Sequence, residues 1–263
     1  MKVNLGMVCA CVLGVYLVYF FMSLSSMGAS EPPIDPTKEI KKEQHPKPEA
    51  YVAKPTPTPT PSPSPKDAMG SKRAVRDTVV VETKYGKIRW AMLDEYAPLH
   101  AERFMRLIDE GLFDGAVFYR GEPGFGLQTG PVSAQGERKA SPYGTIPLEY
   151  KVLNKRGGIN AARWEDPNSA STDLFILLGD APHLDKNNDS PGYTVFGVVI
   201  EGLDHADYMA NLPAKQDPGM RMIADPPLIT RFAVERNWPV PADKLHLLDV
   251  ETDPTVPNPA DHV

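Results

Sequence analysis

The chain has 263 residues, a formal net charge of −6, 41% hydrophobic and 24% charged residues, which is ordinary for a globular protein. Beyond Val75 there are nineteen basic and twenty-eight acidic residues. That surplus of negative charge repels phosphates and argues against nucleic-acid binding, as does the lack of a basic stripe interleaved with aromatics. Both cysteines, Cys9 and Cys11, lie near the N-terminus, so the rest of the chain can form neither an internal disulfide nor a thiolate metal site.

No charged side chain occurs between Lys2 and Glu31, and Leu5 to Leu24 is a dense apolar run. About 20 residues at ~1.5 Å rise cover the ~30 Å hydrocarbon core. Lipid offers the backbone no hydrogen-bond partner, so such a segment is expected to be one transmembrane helix. The other reading is a cleaved secretory signal ending near Met27-Gly28-Ala29; the length of the run and the single Lys2 before it favour a retained anchor. A short N-terminal tail before a large C-terminal domain implies a single-pass membrane protein of the secretory pathway with its domain lumenal, although Lys38, Lys41 and Lys42 follow the span.

Residues 31–75 hold eleven prolines, including the run KPTPTPTPSPSPK from Lys54 to Lys66. Alternating proline excludes helix and ladder hydrogen bonds and favours extended polyproline II, read here as a disordered stalk or spacer.

From residue 76 to 236 the texture is that of a folded domain. Thr78 to Glu82 and Lys87 to Met92 are strand candidates joined by the turn Lys84-Tyr85-Gly86. Leu99, Phe104, Leu107 and Ile108 fall at helical spacing within 97–110, with Pro98 suited to the first turn and Gly111 to the stop. Short strand candidates follow at 117–120, 124–129, 158–162, 174–178 and 194–200. A second helix is expected at 203–212 and a last strand at 228–234. Many short strands with two helices predict an all-β barrel or sandwich. Residues 237–263 are rich in Pro and Asp and read as a loose tail.

Three blocks then carry a resemblance. Phe118-Tyr119-Arg120-Gly121-Glu122-Pro123-Gly124-Phe125-Gly126-Leu127-Gln128-Thr129-Gly130 resembles the cyclophilin pattern F-H-R-x-x-x-G-F-x-x-Q-x-G. Ala161-Ala162-Arg163 with Asp166-Pro167-Asn168-Ser169-Ala170-Ser171-Thr172 and Leu174-Phe175-Ile176 resembles M-A-R…D-P-N-S-A-x-S-Q-F-F-I. Leu184-Asp185 and Gly192 to Gly202 resemble L-D…G-x-x-V-F-G-x-V-x-x-G. Three blocks in the family's order, over about 78–234, are a specific signal.

The resemblance implies a closed eight-stranded antiparallel β-barrel capped by two helices, and peptidyl-prolyl cis-trans isomerase activity assisting protein folding, with no cofactor and no metal. The alternative is a catalytically weak module that binds or scaffolds proline peptides. By resemblance Arg120 donates to the substrate amide nitrogen, and Gln128 bonds the substrate backbone and steadies the arginine. Phe125, Phe175 and Leu184 line the proline site, Ala162 flanks the neighbouring groove, and His183 and Tyr193 stand where members often have Trp and His. Replacement of that Trp implies weak cyclosporin binding. Gly126 replaces a frequent Met and removes some wall. Asp173 replaces a Gln; its carboxylate is expected either to pair with Arg120 and blunt its reach or to favour basic peptides.

Overall fold

The computed structural model describes residues 74–217 and 220–257. The apolar run Leu5 to Leu24 and nearly all of the Pro-rich stalk lie outside them. Among the described residues no helix is long and apolar enough to cross a membrane.

The first hairpin forms as its alternation requires. Strand β1 (Val75–Thr83) pairs antiparallel with β2 (Gly86–Met92), setting Val79 opposite Trp90 and Val81 opposite Ile88, all facing the core. Gly86 closes the turn at φ +133°, a conformation that L side chains adopt rarely.

Helix α1 (Pro98–Asp109) starts without a capping side chain at Ala97. Its first amides are capped from a distance: Glu149 accepts the N–H groups of Leu99 (3.0 Å) and His100 (2.9 Å). A carboxylate at a helix N-terminus also meets the positive end of the helix dipole. The helix buries Phe104, which stacks on Phe196 with ring centroids 4.5 Å apart.

The remaining elements are β3 (Ala116–Glu122), β4 (Gly126–Ser133), β5 (Gly158–Ala161), β6 (Leu174–Leu177), a 3₁₀ turn (Pro182–Leu184), β7 (Val195–Glu201), α2 (Leu203–Ala210), β8 (Ala214–Asp217), β9 (Met220–Ile223), β10 (Ile229–Pro239) and a second 3₁₀ segment (Ala242–Leu248). The ten strands among the described residues form one antiparallel sheet in the order β10-β1-β2-β7-β5-β6-β4-β3-β9-β8. Its concave face encloses Trp90, Phe118, Leu127, Ile159, Leu174 and Ile176 together with the apolar sides of both α-helices.

The expected closed eight-stranded barrel is corrected on two points. Among the described residues the strands number ten, because 214–217 and 220–223 pair as an added hairpin, β8–β9. The ladder is also not closed. Between β3 and the start of β10 there is one isolated bridge, Val117–Leu228, and the Phe118 N–H bond to the Pro227 carbonyl (3.0 Å). Pro226 and Pro227, just before the bridging Leu228, have no N–H to donate, which halts the ladder there.

The segment read as a loose tail from Asn237 is packed through residue 257. β10 runs on to Pro239, and Val240 and Leu248 are buried with Leu93 and with Ala91, Val195, Val198 and Ile200 on the outer face of β2 and β7. Thr252 bridges to Val152, and the Asp253 N–H bonds the Lys151 carbonyl at 2.8 Å. Burial of apolar surface on that second face, which alternation along β2 and β7 already presents, holds the segment down.

Candidate active site

Strand alternation sends Phe118, Leu127, Thr129, Leu174 and Ile176 inward, so Gln128 and Phe175 face out. Arg120 would follow Phe118 inward were β3 regular. The register shifts between them: Phe118 stands opposite Thr129 and Arg120 opposite Gln128, so Tyr119 and Arg120 together face one residue of β4. Such a bulge re-aims the strand and places Arg120 beside Gln128 on the outer face.

The Arg120 guanidinium lies 3.4 Å from Gln128 Oε1 through Nη1 and 3.5 Å from Glu122 Oε1 through Nη2. Its Nε is buried without a hydrogen-bond partner. Beside it is an apolar cluster separate from the two cores: Phe175, Leu177 and Ala181, against which Phe125, Ala162, Leu184 and Tyr193 pack. Phe125 stacks with Phe175 (centroids 6.3 Å) and with exposed His183 (5.7 Å), and Tyr193 meets Phe175 edge-on at 6.4 Å. All eight residues singled out in the sequence therefore lie on one face: Arg120 and Gln128 at its polar side, Phe125, Ala162, Phe175, His183, Leu184 and Tyr193 around the apolar patch.

Other residues hold this face: Asn154 lies outside the three motif blocks, and Arg163 lies within the second. Asn154 donates from Nδ2 to the Leu184 carbonyl (3.0 Å) and to Asp185 (2.8 Å), which fixes the 3₁₀ turn carrying His183 and Leu184. Arg163 stacks over the Tyr193 ring at 4.1 Å and bonds the Gly192 carbonyl (3.2 Å). Glu122 sits inside the first motif block, yet nothing there marks it as a partner of Arg120.

Asp173 does not pair with Arg120. Its carboxylate accepts hydrogen bonds from Tyr119 Oη (2.6 Å) and Arg138 Nη1 (2.5 Å). Burial, then the Asp173 charge and hydrogen bond, push the Tyr119 phenol well above its ordinary range. Burial pulls the Arg138 guanidinium down, but the bond and charge of Asp173 outweigh it and the net shift is upward. At Gly126 a Cβ would stand 3.3 Å from the Ile176 carbonyl and 3.7 Å from the Phe175 ring, so the glycine lies against the patch with little room to spare.

The antiparallel sheet thus presents the Arg120 guanidinium beside a small aromatic patch, the arrangement of a β-sheet protein with an outward-facing apolar and cationic site. Residues 78–233 match the family model of the cyclophilin type peptidyl-prolyl cis-trans isomerases. The chain belongs to that family. It is 30% identical over 156 residues to peptidyl-prolyl cis-trans isomerase A of Dickeya dadantii, covering 59% of this chain and 82% of the relative. It is 33% identical over 143 residues to human peptidyl-prolyl cis-trans isomerase-like 3, covering 53% and 85% respectively. A crystal structure of a Cryptosporidium parvum cyclophilin shares the fold with a TM-score of 0.53 at 22% identity, over 62% of this chain and 99% of the other.

Proposed function

We propose that this protein is a peptidyl-prolyl cis-trans isomerase that rotates Xaa-Pro bonds of polypeptides through Arg120. The observation that carries this reading is the Arg120 guanidinium held on the same face as the Phe125–Phe175–Leu184 patch. An Xaa-Pro bond turns in tens of seconds because amide resonance sets a barrier of about 20 kcal/mol. Millisecond turnover needs about 10⁴-fold, or roughly 5.5 kcal/mol. No covalent step is required.

In the twisted state the amide loses resonance and its nitrogen becomes a pyramidal, basic acceptor. Arg120 has five N–H groups and stays charged. Gln128 and Glu122 each engage one Nη, which leaves hydrogens to donate to that nitrogen. The bond strengthens only as the amide twists, so it lowers the barrier rather than the ground state. The aromatic patch holds the proline ring meanwhile. A crystal structure of the C. parvum protein was determined in the presence of the dipeptide Ala-Pro, and the same ligand class is proposed here. His183 offers less ring area than Trp over Phe125, which supports weak cyclosporin binding.

The test is cis–trans exchange of a short Ala-Pro peptide with the full chain in detergent micelles, wild type against Arg120→Ala. Acceleration lost in the folded mutant supports the enzyme and its central residue. A folded wild type without acceleration leaves the proline-peptide binding module.

Placement in the membrane rests on sequence alone. Leu5 to Leu24 would anchor the chain and residues 31–75 would lift the domain from the bilayer on its lumenal side. Protease protection of the domain in sealed microsomes tests this; full digestion without detergent would refute it.

A further inference from the structure

Glu122 is bound on two sides. Its Oε1 lies 3.5 Å from Arg120 Nη2 and accepts the backbone N–H of Arg221 on β9 at 3.0 Å. The side chain of Arg221 in turn donates to three carbonyls, Gly121 (2.8 Å), Ala210 (2.7 Å) and Leu212 (2.7 Å). Between Arg120 and Glu122, Gly121 packs backbone against backbone on the end of α2; a Cβ there would lie 2.8 Å from Ala210 Cα. Strand β3, the end of α2 and the β8–β9 hairpin are thereby tied together at the one residue that separates Arg120 from Glu122. Arg120 itself stands opposite Met222 on β9.

We propose that Glu122 is a positioning residue: held by the β9 backbone, its carboxylate keeps the Arg120 guanidinium turned toward the aromatic patch. This rests on the role proposed above for Arg120. The physical case is one of rotamer freedom. An arginine side chain has many accessible rotamers, and a single acceptor on Nη1 leaves it free to swing about that contact. Gln128 on one Nη and Glu122 on the other fix the plane of the fork. A free glutamate would wander as readily as the arginine, but the Arg221 N–H bond removes that freedom. Misplacement of a donor by about 1 Å can cost on the order of 10²-fold in rate, so a second fixing point matters to turnover. The patch that holds the proline ring does not involve Glu122, so peptide affinity should be spared.

The experiment combines two readouts on the full chain in detergent micelles. The first is exchange of an Ala-Pro peptide by Glu122→Ala and Glu122→Gln, each alone and in an Arg120→Ala background. The second is the side-chain NMR signals of Arg120 Nη without peptide. Expected are a fall in kcat of about 10-fold for Glu122→Ala with KM changed less than about two-fold, and a smaller fall for Glu122→Gln. The glutamine keeps an oxygen for the Arg221 N–H, so it separates loss of charge from loss of the hairpin contact. In the Arg120→Ala background neither substitution should cost anything further. Resolved Nη signals in the wild type should merge in Glu122→Ala. Additive losses, a change confined to KM, unchanged or raised kcat, or Nη signals untouched by the substitution would each overturn the proposal. If the wild type shows no acceleration at all, the isomerase reading fails, while the Nη signals still decide whether Glu122 holds Arg120.

Discussion

Asp173 is bound to Arg138 at 2.5 Å, 35 positions apart in the chain, and the same carboxylate takes the Tyr119 hydroxyl at 2.6 Å. Gly130 leaves room for it, since a Cβ there would lie 2.4 Å from Asp173 Oδ1. The cluster therefore occupies the carboxylate beside the active face and keeps it off Arg120. A carboxylate neutralised this way also has little left to attract basic peptides.

Asp173→Ala should destabilise the fold by about 1–3 kcal/mol, because it strands a buried hydroxyl and leaves Arg138 unpaired. Exchange activity should stay within about two-fold, since the Arg120 contacts are to Gln128 and Glu122. Urea denaturation and peptide exchange on the same variant check both halves.

Stability should fall at alkaline pH. Burial and Asp173 raise the folded pKa of Tyr119 above its ordinary 10.0, and burial pushes Tyr150 up to about 12. Above pH 10 the unfolded chain releases these protons while the folded chain keeps them, so the unfolded state binds fewer. The stabilisation is complete below pH 10 and declines as pH rises, by at most ~1.4 kcal/mol per pH unit for Tyr119. Urea titrations from pH 8 to 11 should show the slope, and Tyr119→Phe should flatten it.

Two glycines near the site should respond in opposite ways. At Gly121 a Cβ meets the Ala210 backbone at 2.8 Å, so Gly121→Ala must displace α2 or β3, at a cost of about 1–3 kcal/mol and with loss of exchange activity. At Gly126 a Cβ would stand 3.3 Å from the Ile176 carbonyl and 3.7 Å from the Phe175 ring, close but accommodated by small shifts. Gly126→Met should lower KM for a proline peptide about three-fold by extending the apolar wall. A higher KM with intact folding would show that the bare glycine serves the substrate.

A chain ended after Pro239 should lose roughly 3–5 kcal/mol, since Val240 and Leu248 are each more than nine-tenths buried. It would also uncover Leu93, just past the end of β2, and Val198 and Ile200 on β7. Increased binding of an apolar dye together with a lowered midpoint is the expected pattern. An unchanged midpoint would mean that the segment adds nothing to stability.

Sequence alone determined the features that repeat locally. Alternation marked β1 and β2, helical spacing with Pro98 marked α1, and the three motif blocks marked Arg120, Gln128, Phe125 and Phe175 as one set. Each is a pattern within a few residues, where backbone geometry decides which side chains share a face. Tertiary structure decided who meets whom. Nothing in the chain says that Glu149 caps α1 from 49 positions away, that Arg221 anchors Glu122 from 99, or that Asp173 prefers Arg138 to Arg120. A charge will pair with any opposite charge that the fold brings near, and side-chain chemistry does not encode distance. The short β8–β9 hairpin and the packed segment after Asn237 escaped for a related reason. Their structure is imposed by β3 and by the outer face of β2 and β7, not by a period of their own.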